Sequence, residues 1–227
     1  MEAFILYFVL FFPGIYASPS PDWLAQGIET VRVVPFSAVR ELGRTLTYTL
    51  PALALILYLI HRTQQQHALL HSPEGVVSLK RAMPGKKDIL PFVISLPALI
   101  IIGLFVSFLV SLSPQTVPPS LIEGPYNLPG WIVMVLACLG IGYLEEVYFR
   151  YYLLTRLENI VPSPVIRVIL STVLFALCHV YEGYWGMLNA AIAGVFLGVI
   201  FLRFRSIHGV ALAHAGYNMF VYTMGTM

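Results

Sequence analysis

Three stretches of the chain carry groups that could do chemistry where their surroundings are apolar. The first is Gly140-Ile-Gly-Tyr-Leu-Glu-Glu-Val-Tyr-Phe-Arg150, with Glu145, Glu146 and Arg150. The second is Phe175-Ala-Leu-Cys-His179, and the third is His214-Ala-Gly-Tyr-Asn218. A charge inside a bilayer costs about 2.5–3.5 kcal/mol on insertion scales, so each such residue is a candidate for function. On a helix, Glu146 and Arg150 are four apart, share a face and can pair. Glu145 is turned by about 100° and cannot share that arginine equally. One carboxylate is thus expected to be neutralised and structural, leaving its neighbour for chemistry. His214 and Asn218 are also one turn apart on one face. A carboxylate beside a neutral imidazole can take a proton from water and deliver it to a leaving amine. A second imidazole and an amide can donate to the oxyanion formed when a carbonyl is attacked. These groups suffice for peptide-bond hydrolysis. Glu145, His179 and His214 could instead hold zinc with an open position, although the chain has no HExxH. The expected cofactor is therefore none, with zinc the disfavoured alternative.

What must position these residues is a membrane bundle. The 227 residues are 58% hydrophobic and 11% charged, against about 25% charged in ordinary soluble domains. There are too few charges to cover a water-facing surface. A span needs roughly 20 apolar residues, and that ruler picks out runs at 4–17, 46–60, 89–112, 129–154, 165–181, 187–204 and 207–224. None alternates as a strand would. The expected fold is all-α, a polytopic membrane helix bundle of about seven transmembrane helices. Residues 1–128 would supply N-terminal helices and a basic link, and 129–227 the catalytic core of a single bundle. The run 4–17 also reads as a signal-peptide core with cleavage after Ala17. Only Glu2 stands where a basic leader segment should be, which favours a retained helix.

Between the first two runs, 18–44 mixes Trp23 and Phe36 with Arg32, Arg40 and Arg44, as an interfacial amphipathic stretch would. The link 61–88 holds Arg62, Lys80, Arg81, Lys86 and Lys87 and marks the cytoplasmic side. Later links alternate accordingly, with Arg156, Arg167, Arg203 and Arg205 returning to that side. At about 1.5 Å per residue, Glu145 lies roughly 16 Å from Arg156, His179 roughly 18 Å from Arg167, and His214 roughly 14 Å from Arg205. The three groups converge on one layer, with a site expected to open towards the cytoplasm. Cys138 and Cys178 lie in apolar runs and make no disulfide framework.

At these residues the chain resembles the CAAX protease and bacteriocin-processing family, which includes the type II CAAX prenyl endopeptidases. The pattern EExxxR, FxxxH, HxxxN is met in order by Glu145-Glu146…Arg150, Phe175…His179 and His214…Asn218. The resemblance covers 129–224. It implies a glutamate-dependent intramembrane endopeptidase in which Glu145 and His179 activate water and His214 and Asn218 form the oxyanion site. Glu146, Arg150 and Phe175 would support them. The expected partners are membrane lipid and a hydrophobic or lipidated peptide or protein tail, and no nucleic acid.

Alternatives from other classes are a proton-coupled transporter, which internal repeats would support and none is found, and a non-catalytic immunity or scaffold protein of the same fold. Blander readings attach to further residues. Gly194 and Gly198 form a small-xxx-small pair suited to close helix packing. Asn189 is expected to make an interhelical hydrogen bond. Tyr148, Phe149, Tyr151 and Tyr152 could line a groove for a hydrophobic tail or form an interfacial belt. His61, His67 and His71 read as solvated link residues.

Overall fold

The structure, a computed structural model, describes residues 2–11, 36–70, 83–113, 124–158 and 160–224, with backbone alone for 64–70. Among them there is no strand. Helix α1 is Glu2–Leu10. Helix α2 (Ala38–Arg44) runs through a wider π-helical segment, Thr45–Thr49, into α3 (Leu50–Leu70). Then come α4 (Lys86–Ser111) and α5 (Leu128–Glu146). A second π-helical segment, Val147–Leu153, joins α5 to α6 (Leu154–Glu158). Helix α7 (Pro164–Leu177), a 3₁₀ turn (Val180–Glu182), α8 (Gly183–Phe204) and α9 (Ile207–Met224) complete the bundle.

The helix starts follow local chemistry. Asn127 accepts from the Gly130 amide at 2.8 Å with Pro129 just inside, and Ser163 accepts from the Ile166 amide at 3.4 Å with Pro164 next. Each pairs a capping oxygen with a proline whose missing N–H no helix needs at that position. Pro51 has no N–H to give to the carbonyl four residues before it, and the turn there is the one that widens over Thr45–Thr49. At the α8–α9 corner, Arg205 adopts a left-handed conformation (φ 51°) and Ser206 bonds both the Gly209 amide and Asp88.

Among the described residues, four helical stretches are long and apolar enough to cross a membrane: Ala38–Thr63, Lys86–Ser111, Leu128–Glu158 and Val180–Phe204. The chain is thus an all-helical membrane protein. Helix α7 is a shorter apolar helix, α1 has nine described residues and α9 has 18. The expected span at 46–60 begins earlier, at Ala38, so 38–44 is continuous with a membrane-length helix; 18–35 lie outside the described residues. The expected run 165–181 stops at Leu177, and the next helix begins at Gly183 rather than 187. Gly183 (φ 78°) occupies the region open to a residue without Cβ, and there the chain reverses.

One end of the bundle gathers Glu2, Arg156 and Thr63, the Arg167–Glu158 pair at 2.9 Å, and Asp88 with Ser206. The other end gathers Phe36, Tyr222 and the Arg40–Glu41–Arg44 cluster. Helix α1 is tied into the core: Tyr148 donates to the Ala3 carbonyl at 2.6 Å, Tyr7 to the Leu174 carbonyl at 2.9 Å, and Phe11 packs on Tyr148 and Phe149. The four aromatics expected at a groove or belt, Tyr148, Phe149, Tyr151 and Tyr152, are all buried against this packing and are core. Gly194 and Gly198 do allow close approach. A Cβ on Gly194 would stand 3.1 Å from Thr172 and on Gly198 3.0 Å from Val168, so α8 lies against α7 there. Asn189 donates across helices to Tyr217 at 3.0 Å.

Candidate active site

Glu145 and Glu146 close α5 where the helix widens into the π segment, a local geometry that recurs at functional sites. Glu146 is fully buried and pairs with Arg150 at 3.0 Å. The guanidinium also lies 4.3 Å from the centre of the Phe175 ring and reaches the Gly194 carbonyl at 3.5 Å. A buried charge is tolerated only when so surrounded, because desolvation costs several kcal/mol per ion. The expected division between the carboxylates is present: Glu146 takes the arginine, and Glu145 does not.

What the spacing missed is that one histidine reaches both carboxylates. Helix α9 brings His214 Nδ1 to 2.8 Å from Glu146 and His214 Nε2 to 3.6 Å from Glu145. Glycine makes this approach possible. A Cβ on Gly142, three residues before Glu145, would lie 3.0 Å from the Ala211 carbonyl oxygen and the Ala215 amide, both on the backbone of α9. The two helices touch main chain to main chain beside the site.

His179 stands past the end of α7, on the turn that leads to Gly183. Its Nδ1 donates to the Phe175 carbonyl at 2.8 Å, which leaves Nε2 as the acceptor nitrogen of the neutral ring. The Phe175 ring packs on His179 at 4.6 Å and on His214 at 6.0 Å between centroids, spacing the two imidazoles. Tyr181 stacks on the other side of His179 at 6.2 Å, a contact that only an aromatic two residues on could have hinted at. Glu145 lies within electrostatic range of His179 and Tyr181. Asn218 is half-buried one turn beyond His214 and makes no side-chain hydrogen bond to the described residues. The site therefore joins Glu145, Glu146, Arg150, Phe175, His179 and His214 through direct contacts or close range, with Asn218 on the adjoining turn.

Among the described residues no group of three or more His, Cys, Asp and Glu is placed to hold a metal ion. His67 and His71 lie outside the side chains described.

Burial is uneven around the site. Towards the end that holds Arg156 and Arg205, the π segment, Leu154, Leu157, Phe201 and Val210 are all buried. Towards the other end, Tyr181, Glu182 and Tyr184 are exposed, and the Arg44 side chain is 49% exposed.

No curated protein and no solved structure matches the chain. Residues 126–220 match the family described as "Type II CAAX prenyl endopeptidase Rce1-like". The matched segment begins just before α5 and ends within α9, so it contains every residue of the site just described. The comparison and the geometry thus single out the same helices, and over 126–220 this membrane protein is similar to the type II CAAX prenyl endopeptidase Rce1-like family.

Proposed function

We propose that the protein is an intramembrane endopeptidase that hydrolyses a peptide bond near the C-terminal tail of a membrane-associated or lipidated protein or peptide. One observation carries the reading. Of two adjacent buried carboxylates, Glu146 is held by Arg150, while Glu145 faces an imidazole and forms no salt bridge with an arginine among the described residues. Glu145 takes one proton of a bound water whose other hydrogen is donated to the Nε2 of His179, and the hydroxide oxygen attacks the scissile carbonyl carbon. His214 and the Asn218 amide donate to the oxyanion. Phe175 keeps the two imidazoles apart. No step is routed through a metal. A transporter relay would need no such division between neighbouring carboxylates.

The proposed traverse uses seven helices, with α1, α7 and α9 as the short members, supported by their packing within the core. The end rich in arginine faces the cytoplasm. Given the burial pattern, water and substrate reach Glu145 from the opposite end, past Arg44 and Tyr181. Charge and depth alone led to the other expectation, an opening towards the cytoplasm.

The test is cleavage of C-terminal tail peptides, farnesylated and not, by protein purified in detergent. Glu145→Gln is expected to lose about 10²–10⁴-fold in rate, the usual worth of a positioned acid–base group, and a chelator to leave the wild type unchanged. Full activity in folded Glu145→Gln would sink the mechanism.

A further inference from the structure

Glu146 has no part in activating water, yet it is among the most enclosed side chains of the bundle. Its Oε1 accepts from His214 Nδ1 at 2.8 Å and lies 3.0 Å from Arg150 Nη1 in an ion pair. A carboxylate facing a guanidinium accepts and does not donate, so the proton of the 2.8 Å contact sits on Nδ1. In the neutral ring the lone pair is then on Nε2, the atom 3.6 Å from Glu145 Oε2. Held this way, a neutral His214 has no hydrogen on Nε2 to give to an oxyanion. It can donate there only after taking a second proton, and the carboxyl beside it is Glu145.

We propose that Glu146 is a positioning residue acting through His214: it fixes the Nδ1–H tautomer, so that Nε2 collects the proton Glu145 draws from water and presents it to the oxyanion. This inference rests on the endopeptidase reading above. The protons balance. Water loses one proton to Glu145 and its oxygen bonds the carbonyl carbon, whose π pair moves onto oxygen. The proton passes from Glu145 to Nε2, and the imidazolium donates to the oxyanion. As the oxyanion pair re-forms the C=O bond, the C–N bond breaks. Its electron pair takes the proton from Nε2, releasing an amine and a carboxylic acid and leaving His214 neutral with Nδ1–H in place. Arg150 keeps Glu146 an acceptor throughout, and the Phe175 ring beneath the guanidinium holds it there.

The experiment combines turnover with ¹⁵N-histidine NMR of the full chain, the His214 signal being assigned by its loss in His214→Asn. The wild type is expected to show His214 protonated at Nδ1. Glu146→Gln keeps an acceptor oxygen but removes the charge, and is expected to lower kcat about 10- to 100-fold, with KM within about twofold, and to let the Nε2–H tautomer appear. Glu146→Asp, which keeps the charge, is expected to recover part of kcat. A wild-type His214 carrying its proton on Nε2 overturns the inference, and so does unchanged kcat in folded Glu146→Gln. Should Glu146→Gln not fold, the wild-type tautomer and Glu146→Asp decide the matter. A wild type that cleaves no tail counts against the proposed protease function, while the tautomer still judges the role of Glu146.

Discussion

The approach of α5 to α9 at Gly142 sets the distance between the carboxylates and His214, and a single methyl group tests it. In Gly142→Ala the new Cβ would stand 3.0 Å from the Ala211 oxygen, 3.0 Å from the Ala215 nitrogen and 3.1 Å from the Ala215 Cβ. Ordinary contact begins near 3.4 Å, so about 0.4 Å must be found. Two of the three atoms are helix backbone, which yields by moving α9 as a whole rather than by turning a rotamer. Overpacking of this kind costs about 1–3 kcal/mol, while Ala in place of Gly returns about 0.5–1 kcal/mol of helix propensity. The net loss of stability is therefore small, about 0–2.5 kcal/mol, and activity is the sharper readout. Ala211 and Ala215 flank His214, so the same displacement lengthens its contacts with Glu145 and Glu146. A misplacement of about 1 Å can cost about 10²-fold, and a shift of somewhat under half that predicts a loss of about 5- to 10-fold in kcat with little change in KM. The matched control is Gly43→Ala in α2, where a Cβ meets nothing within 4 Å; it should gain about 0.5–1 kcal/mol and keep full activity. Both variants are assayed side by side for thermal stability in detergent and for tail cleavage. Undiminished kcat in Gly142→Ala would refute the reasoning, because the helices could not then meet as tightly as the contact distances require.

Two further outcomes are expected. Arg150→Ala strands Glu146 in the core, and removing one partner of a buried pair costs about 3–5 kcal/mol; a loss below about 1 kcal/mol in denaturation midpoints would mean that this charge is balanced by other groups. In a cysteine-free background, a membrane-impermeant maleimide applied outside intact cells should label Tyr181→Cys and reach Arg205→Cys only after permeabilisation, and the reverse pattern would return the mouth of the site to the cytoplasmic face.

Sequence reasoning went furthest where a single helix decides the answer. Glu146 and Arg150 are one turn apart, so their pairing follows from helical periodicity alone, as does the exclusion of Glu145 from that arginine. Gly194 and Gly198 announced a close helix contact by size and spacing, and α7 lies against them. Apolar run lengths located the helices, but their ends moved. The run containing His179 stops at Leu177 because the chain reverses at Gly183, and hydropathy does not register a turn made of apolar residues. The aromatic cluster after Glu146 was expected at a groove or a belt and proved to be core, for a similar reason. Those side chains suit all three settings, and the choice was made by α1, which packs over them from more than 130 positions away in the chain.

By itself the sequence determined that this chain is a helical membrane protein and that Glu146, not Glu145, pairs with Arg150. Each of these follows from composition or from the 3.6-residue turn. Only the tertiary structure decided that His214 spans both carboxylates, that Phe175 holds the two imidazoles apart, and that the side chains between the site and the Arg156 end are buried. Those facts depend on the rotation and separation of helices packed side by side. They are set by where a glycine lets two backbones meet and by which side chains fill the space between, quantities that no spacing within one helix contains.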